Sequence, residues 1–311
     1  MAEPAPIVVI GDCLVDEYYD VERIKPSPEH EGVCLVNPRL TRRVPGGAAH
    51  VAMSLARMGM PTILLGVLHD EAIAEALSAE PGLVPSFSCG RDPAGQPPPT
   101  CIKRRYQYRG QMLMRCDDDP ERPRYLFWRE RLHRLLPELL TRCSAVVTSD
   151  YDKGTLSASM LDTIRMSNPP IWVVDPKRRF YDAYHHPRLV FKPNASEALT
   201  FSGALSCGQA VTTLAHHTGG SVVVTAGEHG IWYGTTDYVD HHPAHPLTPQ
   251  SVVGAGDTAT AVLAAGLSRG WSLPQAVRAC AEACAHVVTQ PGTTPLDADT
   301  WRRVVDLIEV T

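Results

Sequence analysis

The chain has 311 residues, 44% of them hydrophobic, enough to bury a large core as one α/β domain or two smaller ones and too apolar for a disordered tail. A net charge of -5 and a pI near 6.2 argue against a general nucleic-acid binder and fit small-molecule chemistry. The only apolar run before Gly11 is Ile7 to Ile10, too short for a signal peptide, and nothing later approaches a membrane span, so a cytoplasmic location is expected.

Ile7 to Ile10, followed by Gly11-Asp12, reads as a buried strand running into a loop. In an open α/β sheet ligands gather at the carboxyl ends of strands, which puts Asp12 and Asp16 near a crevice. Asp16 could accept bonds from two sugar hydroxyls, or it could stabilise a turn. Residues 17 to 44 lack helical periodicity, carry Pro26, Pro28 and Pro38, and include a short strand-like run from Gly32 to Val36; they read as an excursion forming part of a β-rich lid. Pro45-Gly46-Gly47-Ala48-Ala49-His50 then leads into a buried helix ended by Gly59, its paired glycines permitting close approach of a ligand. A strand over Thr62 to Val67 and a helix over Glu71 to Ala79 follow, and the segment Pro81 to Pro99, rich in proline and glycine, is expected to be loop.

Ile102 to Arg109, a turn at Gly110 and Gln111 to Arg115 predict a hairpin that pairs with the first excursion. Lys103, Arg105 and Arg109 are expected on one strand face, either holding an anion carried by the substrate or keeping a solvated edge from aggregating. Asp117-Asp118-Asp119 reads as a solvated turn, and a helix is expected near Arg129 to Arg142. Four apolar runs then each deliver polar residues at their carboxyl ends: Ala145 to Thr148 into Ser149-Asp150-Tyr151-Asp152-Lys153, Ile171 to Val174 into Asp175-Pro176-Lys177, Leu189 to Phe191 into Lys192-Pro193-Asn194, and Ser221 to Val224 into Thr225-Ala226-Gly227. That repetition indicates a parallel sheet with its crevice along one edge.

The nine cysteines include no Cys-x-x-Cys, and Cys280 and Cys284 share a helical face among alanines, so buried thiols are expected rather than zinc or disulfides. His241, His242 and His245 lie beside Pro243 and Pro246 in an extended connection without an acidic partner at a clear spacing, and read as solvated or loop-packing.

Gly254-Ala255-Gly256-Asp257 precedes a run without breakers up to Gly266, so amides converge at a helix start, a site for anions. Asp257 there is either a helix cap or a base that takes a proton from a hydroxyl attacking a bound phosphate. Neither a P-loop nor the spaced glycines of a dinucleotide enzyme is present.

Gly11-Asp12 with Asp16, Gly46-Gly47-Ala48-Ala49, Asn194-x-x-Glu197, Thr225-x-Gly227-x-x-Gly230 and Gly254-Ala255-Gly256-Asp257, in this order over nearly the whole chain, resemble the ribokinase, or PfkB-type, carbohydrate kinases. Within that superfamily the Lys103 to Arg115 strand, Ser149-Asp150-Tyr151-x-Lys153-Gly154 and Asp175-Pro176-Lys177 are most similar to the heptose-7-phosphate kinases on the route to ADP-heptose. The resemblance implies one ribokinase-like domain over 1–311, α/β, with a doubly wound, mainly parallel sheet and a small β-rich lid from excursions at about 17–45 and 98–117.

It also implies an ATP- and Mg²⁺-dependent sugar kinase. Asp257 would be the base, with the Gly254 turn and the amides of Ala255 and Gly256 stabilising the transferring phosphoryl. Asp16, Gly46, Gly47, His50, Lys103, Arg105, Arg109, Asp150 and Lys153 would bind the sugar phosphate. Asn194, Thr225, Gly227, Gly230 and Lys177 would bind ATP, with adenine over a helix spanning Ala276 to Val288. Asn194 and Glu197 would position Mg²⁺ through water; a capping role is the alternative for Asn194. A homodimer through the lid is implied, and so is a separate adenylyltransferase acting next, since the resemblance stops at the kinase. The family usually has Asn where this chain has His50, which leaves the sugar open. A kinase of an unphosphorylated sugar or nucleoside is the alternative, and a sugar sensor that keeps the fold a further one.

Overall fold

The computed structural model describes residues 4–87, 90–177 and 181–310. In chain order β1 (Ile7–Gly11) is followed by two long strands, β2 (Cys13–Pro26) and β3 (Cys34–Gly47), then α1 (Ala48–Arg57), β4 (Thr62–Gly66), α2 (Glu71–Ser78) and β5 (Leu83–Phe87). The hairpin of β6 (Cys101–Tyr108) and β7 (Gln111–Asp118) leads to α3 (Leu126–Leu140). Strands and helices then alternate through β8 (Ala145–Ser149), α4 (Ala158–Ser167), β9 (Trp172–Asp175), α5 (Tyr181–Tyr184), β10 (Leu189–Phe191), α6 (Ala195–Ser202), α7 (Cys207–Thr218) and β11 (Ser221–Thr225). β12 (Ile231–Gly234) and β13 (Val239–His242) precede α8 (Ala255–Ser268), α9 (Leu273–Val287) and α10 (Ala298–Glu309).

Nine strands form the main sheet in the order β13-β12-β11-β10-β9-β8-β1-β4-β5. Ile7 and Val9 of β1 enter one core and Val8 and Ile10 the other, the period of two that buries both faces of a central strand. The first core lies against α1, α2, α8, α9 and α10, the second against α3, α4, α6 and α7, so the sheet is doubly wound. Seven strands from β5 to β11 run parallel, whereas β12 and β13 are antiparallel at the edge.

The second sheet, ordered β3-β2-β6-β7, contains both excursions, and the hairpin joins the first through β2 and β6 in parallel. Its strands are longer than the pattern suggested: β2 begins at Cys13, and β3 runs from Cys34 to Gly47.

Three expectations are corrected. The segment from Pro81 to Pro99 is not all loop, for β5 pairs with β4; Pro85 is tolerated because β5 is an edge strand. Asp117 and Asp118 lie in β7 rather than in a turn, paired with Arg115 and Arg104. The histidine-rich connection contains β13, where His241 packs on Trp232 with ring centroids 4.5 Å apart and its Nε2 lies 2.7 Å from the His229 carbonyl. His245 faces Glu282 at 3.1 Å. The eight described cysteines are all free thiols; Cys89 lies outside the described residues. No described helix is long and apolar enough to cross a membrane.

Candidate active site

The order β11-β10-β9-β8-β1 sets the carboxyl ends of five parallel strands side by side, so Thr225, Lys192, Asp175, Asp150 and Asp12 stand in a row along one edge. The Asp12 carboxylate is used to build the edge: it accepts from the amides of Tyr151 at 2.9 Å, Lys153 at 3.0 Å and Thr155 at 3.0 Å, fixing the turn after β8.

That turn presents Tyr151 to Asp257. Its hydroxyl donates to Asp257 Oδ1 at 2.8 Å. Helix α8 starts at Ala255, three residues before the expected Thr258, with Gly254 as the preceding residue in the left-handed conformation (φ 85°). Asp257 therefore sits in the first turn and caps nothing, and the capping alternative fails. Burial raises its pKa to about 6; the Tyr151 bond and the Lys192 charge work against this, and Asp16 adds to it. A carboxylate that is ionised at neutral pH but protonates just below it is suited to accept a hydroxyl proton.

Facing this point from the lid are Asp16, Lys103 and Arg105. Arg105 Nη1 donates to Asp16 Oδ1 at 2.6 Å, and both side chains are only 6% exposed. Lys103 Nζ stands 4.5 Å from the centre of the Tyr151 ring, within the fields of Asp16 and Asp257; burial lowers its pKa. Arg109 is a correction: a register shift after Tyr106 and a left-handed turn conformation (φ 49°) carry it off the strand, exposed and stacked on Tyr108.

Gly46 leaves no room for a side chain, since a Cβ there would meet Asp16 Oδ2 at 2.8 Å, and Gly47 (φ 58°) turns against the Asp12 carbonyl. His50 follows on α1, fully buried, beside Gly254, with neither ring nitrogen hydrogen-bonded. Burial depresses its pKa to about 4, so the ring is neutral at neutral pH. Asp150 turns its carboxylate to the Asp152 amide at 2.8 Å and the Tyr184 hydroxyl at 3.1 Å, while Lys153 is paired with Asp119 of the lid hairpin. Both are engaged by the protein's own groups.

On the other side of Asp257, Asn194 and Glu197 form a reciprocal capping box at the start of α6: Asn194 Oδ1 accepts from the Glu197 amide at 2.9 Å, and Glu197 Oε2 from the Asn194 amide at 3.1 Å. The capping alternative for Asn194 is thus realised, while its side chain stays exposed at the crevice. Lys177 Nζ donates to Glu197 Oε1 at 2.8 Å. Thr225 bridges to Asn194, and Gly227 (φ 56°) has open space where a side chain would be. Gly230 (φ 81°) is different, for a Cβ there would lie 2.2 Å from the His242 carbonyl. α9 packs behind α8, with Cys284 and Cys280 donating to the carbonyls of Ala255 and Ala259, both at 3.4 Å.

Four further residues at this edge, Tyr151, Lys192, Thr260 and Thr293, are not among those expected from the sequence. Tyr151 and Lys192 stand inside motifs that were noticed for their neighbours. Lys192 Nζ lies 3.2 Å from Asp175 Oδ2, and Thr260 Oγ1 donates to the same oxygen at 3.0 Å. Burial works against the Lys192 charge, yet Asp175, with Asp257 and Glu197 beyond, raises its pKa. Thr293 donates to Asp16 Oδ2 at 3.2 Å and shares a 2.7 Å bond with Tyr18, from a segment without any motif.

Residues 140–301 of the 311 match the family model described as pfkB family carbohydrate kinase, more than half of the chain. The chain is 34% identical over 299 residues to the bifunctional protein HldE of Azorhizobium caulinodans, covering 93% of this chain and 62% of that protein. It is 32% identical over 312 residues to the bifunctional protein HldE of Pseudomonas fluorescens, covering 97% and 64%. The chain therefore spans less than two thirds of the length of these relatives. Among solved structures, phosphofructokinase-2 from Escherichia coli in complex with substrates and products superposes with a TM-score of 0.74 at 16% identity, covering 97% of this chain and 99% of that one. Ribokinase of Arabidopsis thaliana complexed with ribose and ATP gives 0.71 at 21% identity, covering 98% and 99%. These two share the ribokinase-like fold. The chain belongs to the pfkB family of carbohydrate kinases, phosphotransferases with an alcohol group as acceptor.

Proposed function

We propose that this kinase transfers the γ-phosphoryl group of ATP to a sugar phosphate, with heptose 7-phosphate as acceptor and heptose 1,7-bisphosphate as product. One observation carries the reading: the lid brings Lys103 and Arg105 to the face that holds Asp16, with Lys103 against the same Tyr151 that bonds the base. A cationic lid next to the transfer point suits an acceptor that already bears a phosphate. The likeness to heptose-7-phosphate kinases and the similarity to bifunctional HldE proteins support the choice of sugar.

Asp257 takes the proton of the attacking hydroxyl, and the α8 amides face the charge that develops on the phosphoryl oxygens. Nucleotide phosphates lie along Asn194, Thr225 and Gly227. Among the described residues no three His, Cys, Asp or Glu side chains gather into a metal cage. Asn194 and Glu197 nevertheless fit Mg²⁺, being hard oxygen donors with lone pairs left outside the capping box; they would hold the ion through water, where it would neutralise the phosphates.

One observation favours the alternative acceptor, an unphosphorylated sugar or nucleoside: the Arg105 charge is already met by Asp16. The lid also leaves Leu35, Leu40, Met112 and Met114 exposed, which supports pairing of two lids in a homodimer.

The test is ADP release with Mg²⁺ and ATP over heptose 7-phosphates, hexose phosphates, free sugars and nucleosides. Turnover restricted to a heptose phosphate is the expected result. Turnover on a free sugar or nucleoside in preference to every sugar phosphate would refute the proposal.

A further inference from the structure

Lys192 leaves the sheet at the carboxyl end of β10, where its backbone N–H is tied to the Val174 carbonyl of β9 at 2.8 Å. Its side chain is only 2% exposed, and its Nζ is the nearest atom to the position a Cβ on Gly256 would take, at 3.9 Å. The ammonium thus stands beneath the first turn of α8, where the helix amides converge, and two acids, Asp175 and Asp257, share its field. An ion pair with Asp175 alone would be a poor reason to bury it, since desolvation offsets most of what such a pair returns.

We propose that Lys192 is a catalytic residue of the transfer, the fixed positive charge that contacts the γ-phosphoryl group from below the α8 amides. In the step, the sugar oxygen forms a bond to the γ-phosphorus, and the bond from that phosphorus to the β,γ-bridging oxygen breaks with its electron pair going to ADP. The hydroxyl proton goes to Asp257. Lys192 exchanges no proton; it balances charge on the oxygens in flight, in a site where water no longer screens it. The inference rests on ATP being the donor.

The experiment compares calorimetric binding of ADP and of β,γ-imido-ATP, each with Mg²⁺, to the wild type, Lys192→Met, Asp175→Asn and the double variant, with melting temperatures alongside. Lys192→Met is expected to weaken the triphosphate analogue at least about tenfold while ADP stays within about twofold, the loss of one hydrogen bond to a charged group. The double variant, which no longer buries an unpaired acid, is expected to regain the melting temperature lost by Lys192→Met but not the preference for the third phosphate. Regained triphosphate affinity in the double variant, or equal weakening of both nucleotides in Lys192→Met, would reduce Lys192 to a structural ion pair. A wild type that binds neither nucleotide would overturn the donor reading itself, and the role of Lys192 with it.

Discussion

The hydroxyl of Tyr151, carried by the turn after β8, lies 2.8 Å from Asp257 Oδ1 at the start of α8 and donates to it. The two residues are more than a hundred positions apart, and the bond joins the two halves of the crevice at the group expected to receive the proton. Asp257→Asn should lower kcat by about 10²–10⁴-fold, the range of a lost general base. In the wild type kcat/KM should fall as pH drops below about 6, where burial lets Asp257 protonate. Because the Tyr151 bond lowers that pKa, Tyr151→Phe should move the acid limb to higher pH. An unmoved limb in a pH–rate profile would remove Tyr151 from this role.

The Arg105–Asp16 pair changes how the charge of the lid must be tested. Reversing Arg105 would leave Asp16 buried without its partner, at a cost of about 3–5 kcal/mol, so lost activity would be confounded with lost stability. Lys103 is held by stacking on Tyr151 and by no salt bridge among the described residues. Lys103→Glu should raise KM for a sugar phosphate at least about tenfold. Initial rates on phosphorylated and free sugars check this, and a similar rise for both would detach Lys103 from phosphate recognition.

Gly227 and Gly230 belong to one motif but answer to different demands. Gly230→Ala drives a Cβ into the His242 carbonyl, and the folded state should lose more than about 2 kcal/mol in denaturant unfolding. Gly227→Ala meets nothing and should cost about 1–2 kcal/mol for its left-handed conformation, while nucleotide affinity falls. If Gly230→Ala unfolds at the wild-type midpoint, the close approach to β13 is not rigid.

His50 is neutral in the fold, with its pKa held down to about 4 by burial, whereas an unfolded chain protonates it near the ordinary histidine value of 6.5. The native state thus binds fewer protons across that window, and the contribution of His50 to stability is present above it and lost as pH falls through it. Relative to the wild type, His50→Asn should gain up to about 3 kcal/mol in unfolding free energy between pH 7 and pH 4. A constant difference across this range would mean that the ring has a partner or stays accessible to water.

Leu35→Lys with Leu40→Lys places charge on the exposed part of β3. If the lid is the dimer contact, sedimentation should show the double variant as a monomer at concentrations where the wild type is dimeric. A dimer that persists would move the contact elsewhere.

By itself the sequence carried the order of the buried strands β1, β8, β9, β10 and β11, because an apolar run flanked by polar turns records burial on both faces wherever it lies. It also carried the glycine turns at Gly46-Gly47 and Gly254, since few residues tolerate such close approach or positive φ, and it placed Asp257 at a helix start. Edge strands were less legible: β5 contains a proline and β13 is mostly polar, because an edge position satisfies fewer backbone groups and buries less surface. Arg109 was misplaced because a bulge shifts the alternation from which its face was inferred. Only the tertiary structure decided that Arg105 meets Asp16, that Tyr151 meets Asp257, that Lys192 stands between Asp175 and the α8 turn, and that Thr293 reaches Asp16. Those contacts depend on which strands each sheet sets side by side and on how the two sheets meet, and no local spacing encodes a distance across the fold.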